Sequence, residues 1–184
     1  MKELFAILLG GVLLNNYALQ SFLGVSTILG GAKETKKSLV MGGAVTVVMT
    51  LSGILTWLLN AFVLAPLKAE FLQTLVFTAV ILVVACALGA AAKAAFKKPL
   101  GIAFPLLALN SAVLGASVVN AGAGYTFLQA LVASVAAGLG FMLAMVLFCG
   151  IRSKINEKYV PAAFRGLPIY LMAASILALT LFAF

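Results

Sequence analysis

The chain has 184 residues, 65% of them hydrophobic and only 9% charged, against roughly 45–50% and about 25% in a soluble domain. It belongs in the lipid bilayer: at roughly 20 apolar residues per crossing there is room for about six transmembrane helices, an all-α polytopic protein with no soluble domain beside them. The net charge of +8 is a topology signal and no nucleic-acid signature, because no basic stripe with interleaved aromatics accompanies it.

The opening "MKELFAILLGGVLLNN" imitates a secretory leader, with Lys2 ahead of an apolar core. Acidic Glu3 and the missing small-x-small cleavage site favour a retained first span instead. That span, about Leu4 to Leu23, opens an uncharged run that continues to Ala32 and contains Asn15, Asn16, Gly24, Gly30 and Gly31. The run exceeds a straight crossing. It predicts a helix broken near its middle, with freed backbone groups satisfied by neighbouring side chains, since an unsatisfied group in lipid costs several kcal/mol.

The second and third spans are expected at about Leu39 to Asn60 and Phe71 to Ala91. The fourth, Leu100 to Val119, carries Asn110 and Ser111 near its centre, follows Pro99 and contains Pro105, so it too should be broken. The fifth, Phe127 to Cys149, repeats small residues every fourth position at Ala130, Ser134 and Gly138, the pattern for close helix approach. The last runs from Leu167 to Phe184.

Charge orders these spans. Lys33, Lys36 and Lys37 lie in the first loop, Lys93, Lys97 and Lys98 in the third, and Arg152, Lys154, Lys158 and Arg165 in the fifth; of the 12 basic residues only Lys2 and Lys68 lie elsewhere. By the positive-inside rule those three loops are cytoplasmic, and both termini face the outer side of the cell's inner membrane. Residues 1–184 then form a single integral membrane domain in halves of about 1–92 and 93–184. Because three is odd, the second half enters inverted, with the broken first and fourth spans facing each other at the bilayer midplane.

Polar residues within the spans divide by role. Gln20, Ser21, Ser117 and Ser134 read as hydrogen bonds between packed helices, at about 0.6 kcal/mol each. For Asn15, Asn16 and Asn110 that reading and a midplane polar site stay equally open. The chain has no histidine and no aspartate, and its glutamates, Glu3, Glu34, Glu70 and Glu157, fall at helix ends or in loops. No carboxylate remains to relay protons through the membrane. No nucleophile-base pair, P-loop or dinucleotide fingerprint is present either, so no self-contained enzymatic site is expected. Two thiols, Cys86 and Cys149, are too few for a four-ligand cluster unless two chains combine; they read as small buried hydrophobes.

The order "LLNNYALQSFLGVSTILGG", "FPLLALNSAVLG", "GIR" at Gly150 to Arg152 and "VPAAFRGLPI" resembles the small membrane subunits of the Rnf/Nqr family, and the RnfA and NqrE type more closely than RnfE and NqrD. The resemblance covers nearly the whole chain. It implies membership of a redox-driven complex that couples electron transfer to sodium or proton translocation, paired with an inverted homologous partner. It also implies a 2Fe–2S cluster shared inside the membrane, held by two cysteines from each partner. In the family those ligands follow the first "FLG" and the second asparagine; Ser26 and Ser111 fill these places here. A serine oxygen is a hard, weakly acidic donor where the irons want thiolate, so the substitution predicts a weakened or absent cluster and no confident metal site. The alternatives are a stand-alone homodimeric transporter or channel on the same inverted scaffold, without redox function, or a purely structural scaffold.

Overall fold

The computed structural model describes residues 2–14, 16–31, 35–96 and 110–182. Among them there is no strand, as lipid demands of a spanning segment that must satisfy its own backbone. The first span comes in pieces: α1 (Lys2–Leu9), a π-helical turn over Gly10–Leu14, α2 (Tyr17–Gln20) and α3 (Val25–Gly31). Then α4 (Thr35–Leu59) continues into a second π turn, Asn60–Leu64, and a short 3-10 turn, Glu70–Leu72, leads into α5 (Gln73–Phe96). The second half supplies α6 (Ser111–Gly122), α7 (Phe127–Lys154) and α8 (Leu167–Phe182).

Three of these helices, α4 with its extension, α5 and α7, are long and apolar enough to cross a membrane, and α6 and α8 are shorter apolar helices. The chain is thus an all-α, multi-pass membrane protein. Several helices overrun their expected spans, α4 starting at Thr35, α5 continuing to Phe96, α6 to Gly122 and α7 to Lys154. Hydropathy marks where lipid ends, whereas backbone hydrogen bonding decides where a helix ends, and lysine or arginine stems extend a helix into the interface. Asn15, Lys33, Glu34, Lys97, Lys98, Pro99 and Pro105, with the first half of the fourth span, lie outside the described residues.

At the centre, α4 and α7 pack together through small residues. A Cβ added to Gly138 would stand 2.7 Å from the Thr46 Cα, one on Gly42 would stand 2.7 Å from Met142 Cγ, and one on Gly53 would collide with Ser134 Oγ. This is the close approach anticipated from Ala130, Ser134 and Gly138, and it lets dispersion replace the hydrophobic driving force that lipid removes. Val45, Val48, Met49, Phe141, Met145 and Phe148 fill the seam. Facing outward are Phe62, Leu75, Val83, Ile176 and Leu179, an apolar exterior suited to acyl chains.

The bundle has two different ends. Thr35 Oγ1 lies 3.9 Å from Cys149 Sγ, and Arg152 reaches Leu29 O, so Lys36, Lys37, Arg152 and Lys154 gather at one end. At the other, Trp57 Nε1 donates to Tyr125 O at 2.7 Å and its ring meets Phe127 edge-on at 5.3 Å. Amphipathic aromatics of this kind suit the lipid–water boundary.

Candidate functional site

The break in the first span is made by one amide. Asn16 leaves helical geometry (φ −72°, ψ 109°) and its Oδ1 accepts from Ala18 N at 3.0 Å, capping α2. Its Nδ2 donates to Gly140 O of α7 at 2.7 Å and to Val12 O of the π turn at 3.2 Å. Ala18 N and Val12 O stand at helix ends beside the break, and Gly140 O, inside α7, takes a second bond, so one side chain serves three backbone groups. Gly140 permits the approach, because a Cβ there would stand 2.9 Å from Gly11 O and 3.1 Å from Asn16 Nδ2.

After α2 the chain turns through Phe22 (φ 52°) and Gly24 (φ 74°), with Leu23 N donating back to Tyr17 O at 3.1 Å. A left-handed residue commonly ends a helix and is usually glycine; placing Phe22 there stores strain of about 1–2 kcal/mol. Gly24 O then accepts from Thr27 N and Ile28 N and starts α3.

The fourth span repeats the device. Asn110 has φ −73° and ψ 113°, and its Oδ1 accepts from Ala112 N at 2.9 Å to cap α6. The two breaks touch. Gly24 N donates to Ser111 Oγ at 2.9 Å, a Cβ on Gly24 would stand 2.5 Å from Asn110 Oδ1, and one on Gly115 would stand 2.5 Å from Leu23 Cδ1. Asn16 and Asn110 are both buried, yet among the described residues Asn16 Nδ2 is bonded and Asn110 Nδ2 has no partner. Ser26 and Ser111 lie exposed in the first turns of α3 and α6. Asn15, the remaining polar candidate, lies outside the described residues.

The donor set here is hydroxyl and amide. Ser111 Oγ already accepts a backbone hydrogen bond, and among the described residues no group of three or more His, Cys, Asp or Glu could hold a metal. Such donors do not fit a cluster that needs thiolate. The thiols lie elsewhere: Cys149 is buried on α7, but Cys86 is exposed on α5. The expectation of two buried cysteines therefore holds for one, because α5 is peripheral and turns much of its surface to lipid. Gln20 and Ser21, expected in helix–helix contacts, are exposed at the break. Ser117 bonds its own helix at Val113 O, whereas Ser134 does join two helices by accepting from Asn120 Nδ2 at 3.0 Å.

Arg152, which in the sequence is legible only as a topology charge, has a structural task. Its Nη1 donates to Leu29 O in the last turn of α3 at 2.7 Å, and its guanidinium stands 4.2 Å above the Tyr170 ring of α8. A cation at a helix C-terminus suits the dipole and takes up a carbonyl of the last described turn. Arg152 thereby pins the second piece of the broken span to α7 and α8. Nothing in the spacing of "GIR" announces a bond across 123 residues.

The family model described as "Rnf-Nqr subunit, membrane protein" matches residues 4–184. A protein of Syntrophotalea carbinolica, named as belonging to an ion-translocating oxidoreductase complex, is 43% identical over 190 residues, covering 100% of this chain and 97% of the relative. Proteins of the same name from Serratia proteamaculans and Azoarcus sp. are 40% and 38% identical, with the same coverage of both chains.

Proposed function

The chain belongs to the Rnf-Nqr family of membrane subunits, and from that membership we infer that it is one membrane component of an Rnf-type, redox-driven ion-translocating complex, with other membrane subunits as its partners. The observation that carries a specific role is the junction of the two breaks, where Gly24 N meets Ser111 Oγ at 2.9 Å between two asparagine-capped helix starts. Broken helices are the form in which membrane proteins expose backbone to a path through the bilayer.

In this reading the junction lies at the midplane, and the halves 1–92 and 93–184 are inverted copies in one domain. Asn16 and Asn110 shape the path, and Asn15, outside the described residues, is the third candidate from the sequence. Exposed Ser26 and Ser111 face an inverted homologous partner, or a second copy of this chain. Their hydroxyls contribute no cluster ligands, so this chain carries no electron on a resident metal of its own and acts as a wall and gate of the ion path. The basic end, with Lys36, Lys37, Arg152 and Lys154, is cytoplasmic in an inner membrane, and both termini lie outside.

The test is purification of the tagged chain from membranes, with mass spectrometry and electron paramagnetic resonance on the product. Several larger redox subunits should co-purify, whereas a chain that comes away alone as a homodimer overturns the assembly reading in favour of a stand-alone transporter. The Ser26→Cys/Ser111→Cys variant, with a cysteine-bearing partner present, should gain an iron-sulfur signal that the unaltered chain lacks. A stoichiometric cluster ligated by the unaltered chain would overturn the reading of the two serines.

A further inference from the structure

Between α4 and α5, in the half of α4 that carries Trp57, the surface holds an open groove of about 440 Å³. Leu55, Leu58, Phe62 and Val63 form one wall, from α4 and its π turn, and Val80 and Val83 of α5 form the other. From Leu55 to Val63 the groove follows α4 for about 12 Å at 1.5 Å per residue. Its outer part is built on the π turn, which closes with Ala65 N donating to Asn60 O at 2.9 Å. Single π turns of this kind frequently mark functional sites.

The chemistry of the walls restricts what can lie there. Every lining side chain is leucine, valine or phenylalanine, so the groove offers dispersion contacts and no side-chain hydrogen bond. A partner helix fits it poorly. Lipid tails are as apolar as leucine, so helices associate in a bilayer where small residues let backbones close up or polar side chains bond across. Gly42, Gly53 and Gly138 supply that closeness at the seam of α4 and α7, and the walls of the groove have no counterpart. A flexible acyl chain can instead follow irregular concave walls and gain dispersion contacts on two sides at once.

Charge stands at the mouth. Leu67 N donates back to Val63 O at 3.2 Å and Ala69 N to Leu64 O at 3.1 Å, so the chain turns tightly beyond the π segment and carries an exposed Lys68. Leu67 and Phe71 on either side are 70% and 83% exposed. A lysine among apolar side chains at a helix end lays its stem along them and holds its ammonium at the lipid–water boundary, where it meets phosphate. Glu70 follows in the sequence, so the turn suits a headgroup that bears both charges. We propose that the groove between α4 and α5 binds one acyl chain of a zwitterionic phospholipid, with the lipid phosphate at Lys68. The site requires only that the chain lies in lipid, and so goes beyond any redox or ion-path role and stands or falls separately from it.

The full chain in detergent micelles is titrated with phosphatidylethanolamine and, separately, with diacylglycerol of the same acyl chains, and native mass spectrometry counts the molecules retained. One phosphatidylethanolamine per chain is expected, held at least tenfold more tightly than diacylglycerol, which has the hydrocarbon without the phosphate. Val83→Trp, which fills the groove from a position 67% exposed, and Lys68→Gln should each weaken retention at least tenfold. Ile176→Trp, at an exposed position on α8, should leave it unchanged. Equal retention of the two lipids overturns the proposal, as does retention that survives Val83→Trp or Lys68→Gln. If Val83→Trp fails to fold, the comparison of lipids on the unaltered chain still decides. A photoreactive phenylalanine analogue at Val83, activated in intact membranes, should yield phospholipid adducts. A discrete adduct with another membrane protein would place a partner helix in the groove and overturn the proposal as well.

Discussion

Asn16 and Asn110 share a backbone conformation and a capping bond, but differ at the amide nitrogen. Replacing Asn16 by alanine removes a cap worth about 1 kcal/mol and strips the donor from Gly140 O and Val12 O, for a total of about 2–3 kcal/mol. Asn110→Ala loses the same cap but also removes a buried N–H group without a partner, whose desolvation costs about 1–3 kcal/mol. The two terms offset. Reversible unfolding in mixed detergent micelles should show Asn16→Ala clearly destabilised and Asn110→Ala near neutral; equal losses would mean that Asn110 Nδ2 is satisfied in the membrane. Both asparagines stand out in the sequence as polar residues in lipid, but their asymmetry does not. It depends on whether Gly140 of α7 comes within 2.7 Å of the side chain, a meeting of residues distant in the chain.

At the scale of elements, α3 is the piece with least support of its own. It has seven residues, far below the dozen or more that an isolated helix needs, and is held by Gly24 at one end and Arg152 at the other. Arg152→Met keeps the stem but removes the bond to Leu29 O and the cation over Tyr170. Hydrogen exchange of the α3 amides should then quicken at least tenfold while the α4 and α7 amides keep their protection. Arg152→Lys should recover only part, because an ammonium cannot stack on the ring while its donors meet the carbonyl as a guanidinium does. Unchanged exchange in α3 would show that the loop at Gly24 suffices. The helices with long apolar runs, α4, α5 and α7, were legible from hydropathy; the fragments α2 and α3 were legible only as an expected break, since no local pattern says how a broken span resumes.

For the whole molecule, the gathering of basic side chains at one end of the bundle gives a test of orientation. A membrane-impermeant amine reagent applied to intact cells should label Lys68 and spare Lys36. Strong labelling of Lys36 in sealed cells would invert the orientation. Lys68, at φ 53° in the turn after the second π segment, lies at the opposite end of α4 from Lys36, so the two report on different sides.

The sequence by itself determined the solvent: composition and run length require helices in lipid, and the positions of charges require their alternation, because transfer free energy is additive along a chain and needs no knowledge of neighbours. It also marked Asn16, Asn110, Ser26 and Ser111 by their polarity and by resemblance. Only the tertiary structure decided which of them meet. Gly24 against Ser111, Arg152 against Leu29 and Asn120 against Ser134 are contacts between different spans. Which oxygens are satisfied and which stay open is a property of packed distances, where a shift of about 1 Å makes or loses a hydrogen bond.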